Sequence, residues 1–197
     1  MVQKENNLED FSYFMDQKDF LNYFKLFTQY FIFKKHNTLK YTITYKNETM
    51  DKFHSDTIKR YCYQLLTGID YLHSNKIIHR DIKPANIFIN RENLVIGDLG
   101  HAKKMQSSVS QFCASTPFGS KPYFSPELIN DRTASVIYTN KIDIWCFGCV
   151  LFEMIKLKRL FNETSEIKLI KKISEYNVDE DLFIDSIDKL FQNLLKK

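Results

Sequence analysis

The chain has 197 residues, a formal net charge of +4 and 44% hydrophobic residues, which is ordinary for a globular protein with one core or two small lobes. The mild charge, without a basic stripe of interleaved aromatics, gives no reason to expect a nucleic-acid partner. No apolar run is long enough to span a bilayer, and the polar start "MVQKENNLED" is not a signal peptide. We therefore expect an intracellular, cytoplasmic protein without a membrane partner.

The first 45 residues are rich in aromatic side chains. Residues 6–27 are helix-periodic at first and then become strand-like. Residues 24–45 predict two strands joined at "KKHNT", with apolar alternation clearest from Tyr41 to Tyr45.

The strongest helix pattern is "DTIKRYCYQLLTGIDYLHSN", for which Ser55 or Asp56 is the expected N-cap. Apolar residues recur in it at spacings of three and four: Ile58, Tyr61, Cys62, Leu65, Leu66, Ile69 and Leu72. Two short strands follow, around "NIFIN" and "LVIGD", joined by the polar "RENL".

A long polar stretch, Lys103 to Lys121, comes next, and its length indicates a functional or mobile loop. Helices are then predicted over "DIWCFGCVLFEMIKLK", "SEIKLIKKISEY" and "DLFIDSIDKLFQNLLKK". Cys146 and Cys149 form a C-x-x-C inside the apolar first of these, which favours core packing over a metal or redox role. The whole pattern predicts an α+β fold, a mostly helical body with a small patch of strands.

The segment "IIHRDIKPANIFIN", residues 77–90, gathers the side chains that phosphoryl transfer requires. Such a reaction needs a carboxylate near the attacking hydroxyl, a cation on the moving group and a metal ion against the phosphate charge. Asp81 and Lys83 supply the first two. Asn86 and Asp98, brought together by the intervening hairpin, supply oxygen ligands for Mg²⁺. The alternative is a charged turn between two strands.

Several motifs together resemble the large lobe of a protein kinase: "HRDIKPANI", Asp98-Leu99-Gly100, "SPE" at 125–127 and "DIWCFGC". They occur in the family's order and spacing, from about Leu39 to the C-terminus, and are most similar to the NIMA-related branch. The resemblance implies a protein-kinase-like fold. It predicts a small-lobe remnant over residues 1–46, with the last strands and the hinge, and a large lobe over residues 47–197, truncated before its final helices.

The resemblance also implies a serine/threonine protein kinase that uses ATP and Mg²⁺ and acts on a protein substrate. Asp81 becomes the catalytic base, and Lys83 the cation that contacts the phosphates of ATP. Ser120 takes the hydroxyl position near both. Asn86 and Asp98 become the magnesium ligands.

Other residues receive supporting roles from the same resemblance. Phe88 is expected to form the floor of the adenine pocket, and Leu99 replaces the family's usual Phe while remaining apolar. Asp143 is expected to cross from its helix and brace the catalytic loop. His79 is expected to be a packed structural histidine and not a base.

The polar stretch then corresponds to an activation loop, in which Ser115 and Thr116 are candidate phosphorylation sites. A phosphate there could pair with Arg80, and the alternative is a solvated, unmodified loop. Glu127 pairs in the family with an arginine beyond the end of this chain. Here it would need another partner or solvent.

The front of the chain departs from the family, because residues 1–45 contain no glycine and no "VAIK"-like strand. The phosphate-covering lid and the strand lysine would then lie upstream of Met1. A fragment of a longer product, a short kinase-like protein and a degenerate one are the three explanations, and the intact site residues favour the fragment. We expect weak activity of this chain alone. The alternatives are a non-catalytic scaffold and a metal-dependent hydrolase that uses Asp81 and Asp98.

Overall fold

The computed structural model describes residues 38–105, 119–130 and 139–177. The helices are α1 (Leu39–Glu48), α2 (Ser55–Ser74), α3 (Pro126–Asn130), α4 (Lys141–Lys156) and α5 (Glu166–Ser174). The strands are β1 (Ile77–Ile78), β2 (Ile87–Asn90), β3 (Asn93–Ile96) and β4 (Lys103–Lys104). Short 3₁₀ helices cover Pro84–Asn86, Leu99–His101 and Lys121–Tyr123. This mixture of helix and strand confirms the predicted α+β class.

The strand predicted over Tyr41 to Tyr45 is wrong, because these residues belong to α1. Thr38 caps the helix by accepting a hydrogen bond from the backbone N–H of Tyr41 at 3.2 Å. Leu39 and Ile43, four residues apart, are the buried positions of α1, so its apolar spacing is helical. The other predicted strand, before "KKHNT", lies outside the described residues. Because α1 also runs across position 46, the division of the chain into two lobes there stays a prediction.

The helix predicted from "DTIKRYCYQLLTGIDYLHSN" is confirmed as α2. Its buried residues are those of the predicted stripe, except that Leu66 is only partly buried. The predicted cap is wrong. His54 occupies the N-cap position and makes no side-chain capping bond, and Ser55 is already helical.

Two small antiparallel pairs of strands flank the candidate catalytic loop. In the first, β2 pairs with β3 in the register Ile87↔Ile96, which confirms the predicted hairpin. In the second, β1 pairs with β4, so that the residues before and after the hairpin meet. Because the chain leaves β1 and returns to β4, the loop after β1 and the turn after β3 lie at the same end of the structure.

The main core lies between α2, α4 and α5. Leu65 and Ile69 of α2 belong to the same buried cluster as Val150 and Met154 of α4 and Ile173 of α5. The predictions of α4 and α5 are confirmed. The helix predicted over residues 181–197 lies outside the described residues.

Cys146 and Cys149 are buried members of this core, which confirms their interpretation as packing residues. Burial raises the pKa of the Cys149 thiol to about 12 and also raises that of Cys146. Both thiols therefore stay protonated at neutral pH. Among the helices described, none is both long and apolar enough to cross a membrane.

Candidate active site

Three donors converge on the Asp81 carboxylate, which is itself buried. Its Oδ2 accepts from Lys83 Nζ at 2.6 Å and from Asn86 Nδ2 at 2.9 Å. Its Oδ1 accepts from the backbone N–H of Ser120 at 3.1 Å. A carboxylate has about four lone-pair positions, so one remains for a further donor such as a hydroxyl group.

Lys83 also donates to Ser120 Oγ at 2.9 Å. Its ammonium group therefore bridges the carboxylate of Asp81 and the hydroxyl of Ser120. The side chain of Lys83 is 21% exposed, so the cation faces the solvent side of the site while the acid lies beneath it. The structure thus brings together the three residues for which the sequence predicts catalytic roles.

Asn86 is held with its amide nitrogen directed toward the Asp81 carboxylate. Nδ2 donates both to the backbone carbonyl of Asp81 and to its Oδ2, each at 2.9 Å. The amide oxygen is thereby directed away from Asp81 and is available as a ligand.

Asp98 lies next to Asn86 across the hairpin, because the N–H of Gly97 donates to the Asn86 carbonyl at 2.8 Å. Its backbone is left-handed, with φ 59°, and its Oδ1 accepts weakly from the N–H of Gly100 at 3.3 Å. Asp98 Oδ2 remains for another ligand.

These donors fit magnesium. An amide oxygen and a carboxylate oxygen are the hard ligands that Mg²⁺ prefers, with phosphate and water oxygens completing its octahedron. In the part of the chain that the structure describes, no group of three or more His, Cys, Asp and Glu residues could hold a metal ion. The donor set therefore suits an ion that arrives with a phosphate, and does not suit a tightly held structural metal.

The fully buried Asp143 side chain lies beneath the loop that follows β1. Oδ2 accepts from the backbone N–H of His79 at 2.9 Å and Oδ1 from that of Arg80, also at 2.9 Å. Arg80 has φ 68°, a conformation that costs free energy for a non-glycine residue. The two hydrogen bonds to a buried anion hold the loop in this strained conformation.

His79 is fully buried and lies behind the site. Its Nε2 is 2.9 Å from the carbonyl oxygen of Gly97, and its Nδ1 accepts from the N–H of Asp81 at 3.3 Å. Since a carbonyl can only accept, the ring proton is on Nε2 and the imidazole is neutral. Burial lowers the pKa of His79 below its usual 6.5, and the charge of Asp143 opposes that shift only in part.

The other predicted residues have different surroundings. Phe88 is buried in β2, and an isolated bridge joins it to Thr38 at the start of α1. Arg80 Nε donates to the carbonyl of His101. Glu127 is exposed, so its charge is solvated and needs no buried partner. Ser115 and Thr116 lie outside the described residues.

Sequence reasoning missed two residues that support the site. His73 Nε2 is 2.8 Å from Asp143 Oδ2, although the histidines had no informative spacing. Gly119 has φ +101°, and a Cβ there would lie 2.9 Å from the Arg80 carbonyl oxygen and 3.1 Å from Asp81 Oδ1. The signal for Gly119 was its position directly before Ser120, in a chain with only five glycines.

A third buried acid, Glu153, was also missed. Tyr123 donates its hydroxyl to Glu153 Oε2 at 2.6 Å, and both residues are buried. Burial raises the pKa of Glu153, while the hydrogen bond from Tyr123 lowers it by less. No periodicity in the sequence marks this pair, because 30 residues separate its members.

Comparison with known proteins gives a consistent result. The protein kinase domain family matches residues 11–197. The serine/threonine-protein kinase Nek9 of Mus musculus is 41% identical over 122 residues, which are 61% of this chain and 12% of that protein. The serine/threonine-protein kinase nekl-2 of Caenorhabditis elegans is 34% identical over 148 residues, 73% of this chain and 40% of that protein.

A relative outside the Nek group, the serine/threonine-protein kinase PKH2 of Saccharomyces cerevisiae, is 38% identical over 147 residues, 70% of this chain and 13% of that protein. The aligned part is less than half of each of these relatives. The similarity to Nek proteins agrees with the predicted likeness to the NIMA-related branch. The family match covers nearly the whole sequence, and this chain belongs to the protein kinase domain family.

Proposed function

We propose that this chain transfers the γ-phosphoryl group of ATP to a serine or threonine hydroxyl of a protein substrate. The observation that carries the proposal is the convergence of Asp81, Lys83 and Ser120 within 2.6 to 3.1 Å of one another's polar atoms. The names of the similar proteins, all serine/threonine kinases, support the same reaction.

Asp81 acts as the proton acceptor. The remaining lone pair of its carboxylate receives the hydrogen bond of the substrate hydroxyl and orients that oxygen toward the γ-phosphorus. As the oxygen bonds to phosphorus, the bond from phosphorus to the bridging oxygen breaks and ADP leaves. The hydroxyl proton passes to Asp81, so atoms and charge are conserved.

Lys83 places a positive charge beside the reacting oxygens. Its ammonium group lies 2.6 Å from the Asp81 carboxylate and 2.9 Å from Ser120 Oγ. A cation fixed there before the reaction stabilises the negative charge that spreads over the phosphoryl oxygens.

Asn86 and Asp98 would hold Mg²⁺ when nucleotide binds. The ion would offset phosphate charge and align the γ-phosphoryl group. Asn86 contributes both to the position of the base and to the metal site, since its amide nitrogen orients Asp81 while its oxygen is free for the metal. We further propose Phe88 as the floor of the adenine pocket, in agreement with its burial in β2.

We also propose that Ser115 or Thr116 is phosphorylated and that the phosphate pairs with Arg80. We further propose that residues 1–46 are the remnant of a small lobe, that residues 47–197 form the large lobe, and that the protein is cytoplasmic. We also expect slow transfer by this chain alone. Residues 1–45 contain no glycine for a phosphate-covering loop. Positioning of the phosphates supplies much of the catalysis in this reaction.

The test is incorporation of radiolabelled phosphate from ATP into a mixed protein substrate over long incubation, with and without Mg²⁺. Asp81→Asn should abolish incorporation, and the exposed Asp70→Asn on α2 serves as the matched control. Thermal stabilisation by ATP and Mg²⁺ measures binding separately. No incorporation together with no stabilisation would overturn the proposal in favour of a scaffold. Phosphate release without an acceptor would indicate a hydrolase.

A further inference from the structure

Along one face of α2, residues four positions apart contact residues two positions apart on β3 and the turn before it. The pairs are Arg60 with Glu92, Gln64 with Leu94, and Gly68 with Ile96. Four residues of helix rise about 6 Å and two residues of strand about 6.8 Å, so the two spacings nearly match over this length. The packing against α2 therefore fixes where each residue of β3 lies.

Gln64 makes the most directional of these contacts. Its Oε1 accepts a hydrogen bond from the backbone N–H of Leu94 at 2.8 Å, and its Nε2 donates to Asn93 Oδ1 at 3.2 Å. The first of these bonds holds the backbone of β3, so a strand that slides along α2 must break it. The ion pair of Arg60 and Glu92 is weaker, because the two side chains are 42% and 77% exposed.

The turn between β2 and β3 favours the observed register only weakly. It consists of Arg91 and Glu92, and Arg91 has φ 56°, a left-handed conformation that costs free energy for a non-glycine residue. Two-residue hairpin turns are usually formed by pairs such as Asn-Gly, which adopt this conformation readily. The register of this hairpin therefore depends on contacts outside it, and Gln64 provides one of them.

We propose that Gln64 is a positioning residue for the magnesium site, because it sets the register of β3 and thereby keeps Asp98 beside Asn86. The inference rests on the proposed function, in which these two residues bind one ion. Two oxygen atoms bound to the same Mg²⁺ are at most about 4 Å apart. A slip of β3 by two residues would move Asp98 by about 6.8 Å, which is too far. Such a slip would also break the 2.8 Å bond from the Gly97 N–H to the Asn86 carbonyl.

The test uses Gln64→Leu, which keeps a similar volume without polar atoms, and Gln64→Glu, which keeps an acceptor for Leu94. Amide hydrogen exchange is measured by NMR at Gly97, at Leu94 and at Val150 in the core of α4. In Gln64→Leu, exchange at Gly97 and Leu94 should rise about fivefold relative to Val150, which corresponds to one lost hydrogen bond. In Gln64→Glu, the rates should stay within about twofold of the wild type, because the acceptor remains.

Asp70→Leu is the matched control, because Asp70 is exposed on a different face of α2, and it should leave all three exchange rates unchanged. An equal rise at Gly97, Leu94 and Val150 in Gln64→Leu would indicate general destabilisation and would overturn the inference. Unchanged exchange at Gly97 in this variant, or an equally large rise in Gln64→Glu, would overturn it as well.

Protection by ligand separates this inference from the proposed function. If Asn86 and Asp98 bind the ion only in the observed register, ATP with Mg²⁺ should slow exchange at Gly97, and ATP with EDTA should not. Faster exchange at Gly97 in Gln64→Leu, without any thermal stabilisation by ATP and Mg²⁺, supports the register role and contradicts only the proposed reaction. Stabilisation by ATP and Mg²⁺ that protects Gly97 no more than ATP with EDTA supports nucleotide binding and contradicts the link from Gln64 to the metal site.

Discussion

Asp81 Oδ1 accepts a hydrogen bond from the backbone N–H of Ser120 at 3.1 Å, although the two residues lie 39 positions apart in the sequence. This bond joins the loop after β1 to the segment that precedes α3. Ser120 therefore contacts Asp81 through its backbone and Lys83 through its side chain. A change that separates the two segments should impair the site without altering any side chain in it.

Gly119→Ala makes such a change. Its φ of +101° is strained for alanine, and the added Cβ would lie 2.9 Å from the Arg80 carbonyl oxygen. We expect a loss of about 1 to 3 kcal/mol in the free energy of unfolding, measured by urea titration, together with a fall in phosphate transfer.

Gly148→Ala is the matched control for this substitution. Gly148 lies inside α4, and a Cβ there meets no atom within 4 Å. Alanine is a better helix former, so stability should rise by about 0.5 to 1 kcal/mol. Similar destabilisation by both substitutions would contradict the close approach at Gly119.

Asp143→Asn should destabilise the loop that follows β1. The amide retains one acceptor oxygen but turns an NH₂ group toward a backbone donor of His79 or Arg80. Loss of hydrogen bonds to a buried charge predicts a decrease of about 2 to 4 kcal/mol in the free energy of unfolding. Asp56→Asn, whose side chain is 80% exposed, should change stability by less than about 0.5 kcal/mol. Equal effects at the two positions would contradict the bracing role.

Glu153 should make the fold less stable as pH rises. Because burial raises its pKa above the usual 4.5, the unfolded chain releases this proton first. The contribution of Glu153 to the free energy of unfolding is therefore fully present below pH 4.5. It declines as pH rises, until the pKa of Glu153 in the folded protein is passed. As pH rises from 4 to 7, the urea midpoint of Glu153→Gln should increasingly exceed that of the wild type. A difference between the two urea midpoints that does not change with pH would contradict the raised pKa of Glu153.

Below pH 6.5, His79 should be protonated to a smaller extent than free histidine, and its neutral ring should carry the proton on Nε2. Its lowered pKa means that the unfolded chain takes up a proton first, so its contribution to stability declines as pH falls below 6.5. Two-dimensional ¹H–¹⁵N NMR of the imidazole nitrogens, recorded from pH 7.5 to 5.5 beside free histidine, checks both tautomer and charge. Charging of His79 over the same pH range as free histidine would contradict the lowered pKa, and a neutral ring with its proton on Nδ1 would contradict the contact to the Gly97 carbonyl.

Local patterns predicted most of the described fold. The helices α2 and α4 carry long, uninterrupted apolar spacings, and the β2–β3 hairpin is bounded by polar turns, so each could be identified from a short window. The error at α1 arose because Tyr41, Ile43 and Tyr45 alternate like a strand. Thr42 and Thr44 have the branched side chains typical of strands, but here they donate to the carbonyls of Thr38 and Lys40, four residues earlier in the helix.

The residues of the candidate site likewise fall into those that a short segment predicts and those that depend on distant partners. Asp81, Lys83 and Asn86 lie within six residues, so their proximity could be predicted from the segment alone. His73 and Glu153 could not be predicted, because their partners are distant in sequence and are brought close only by the packing of α2 and of the 3₁₀ turn against α4. Long-range partners of this kind leave no periodic signal in one sequence.

Leu99, the residue after Asp98, is buried against Leu72 at the end of α2 and Ile77 of β1. A backbone displacement that carries Asp98 away from Asn86 would also withdraw Leu99 from this apolar cluster. Exposing a leucine side chain costs about 2 kcal/mol, which leaves the displaced arrangement with a population of a few per cent. Packing of Leu99 therefore favours the observed backbone position of Asp98, and a smaller residue at position 99 would weaken that preference.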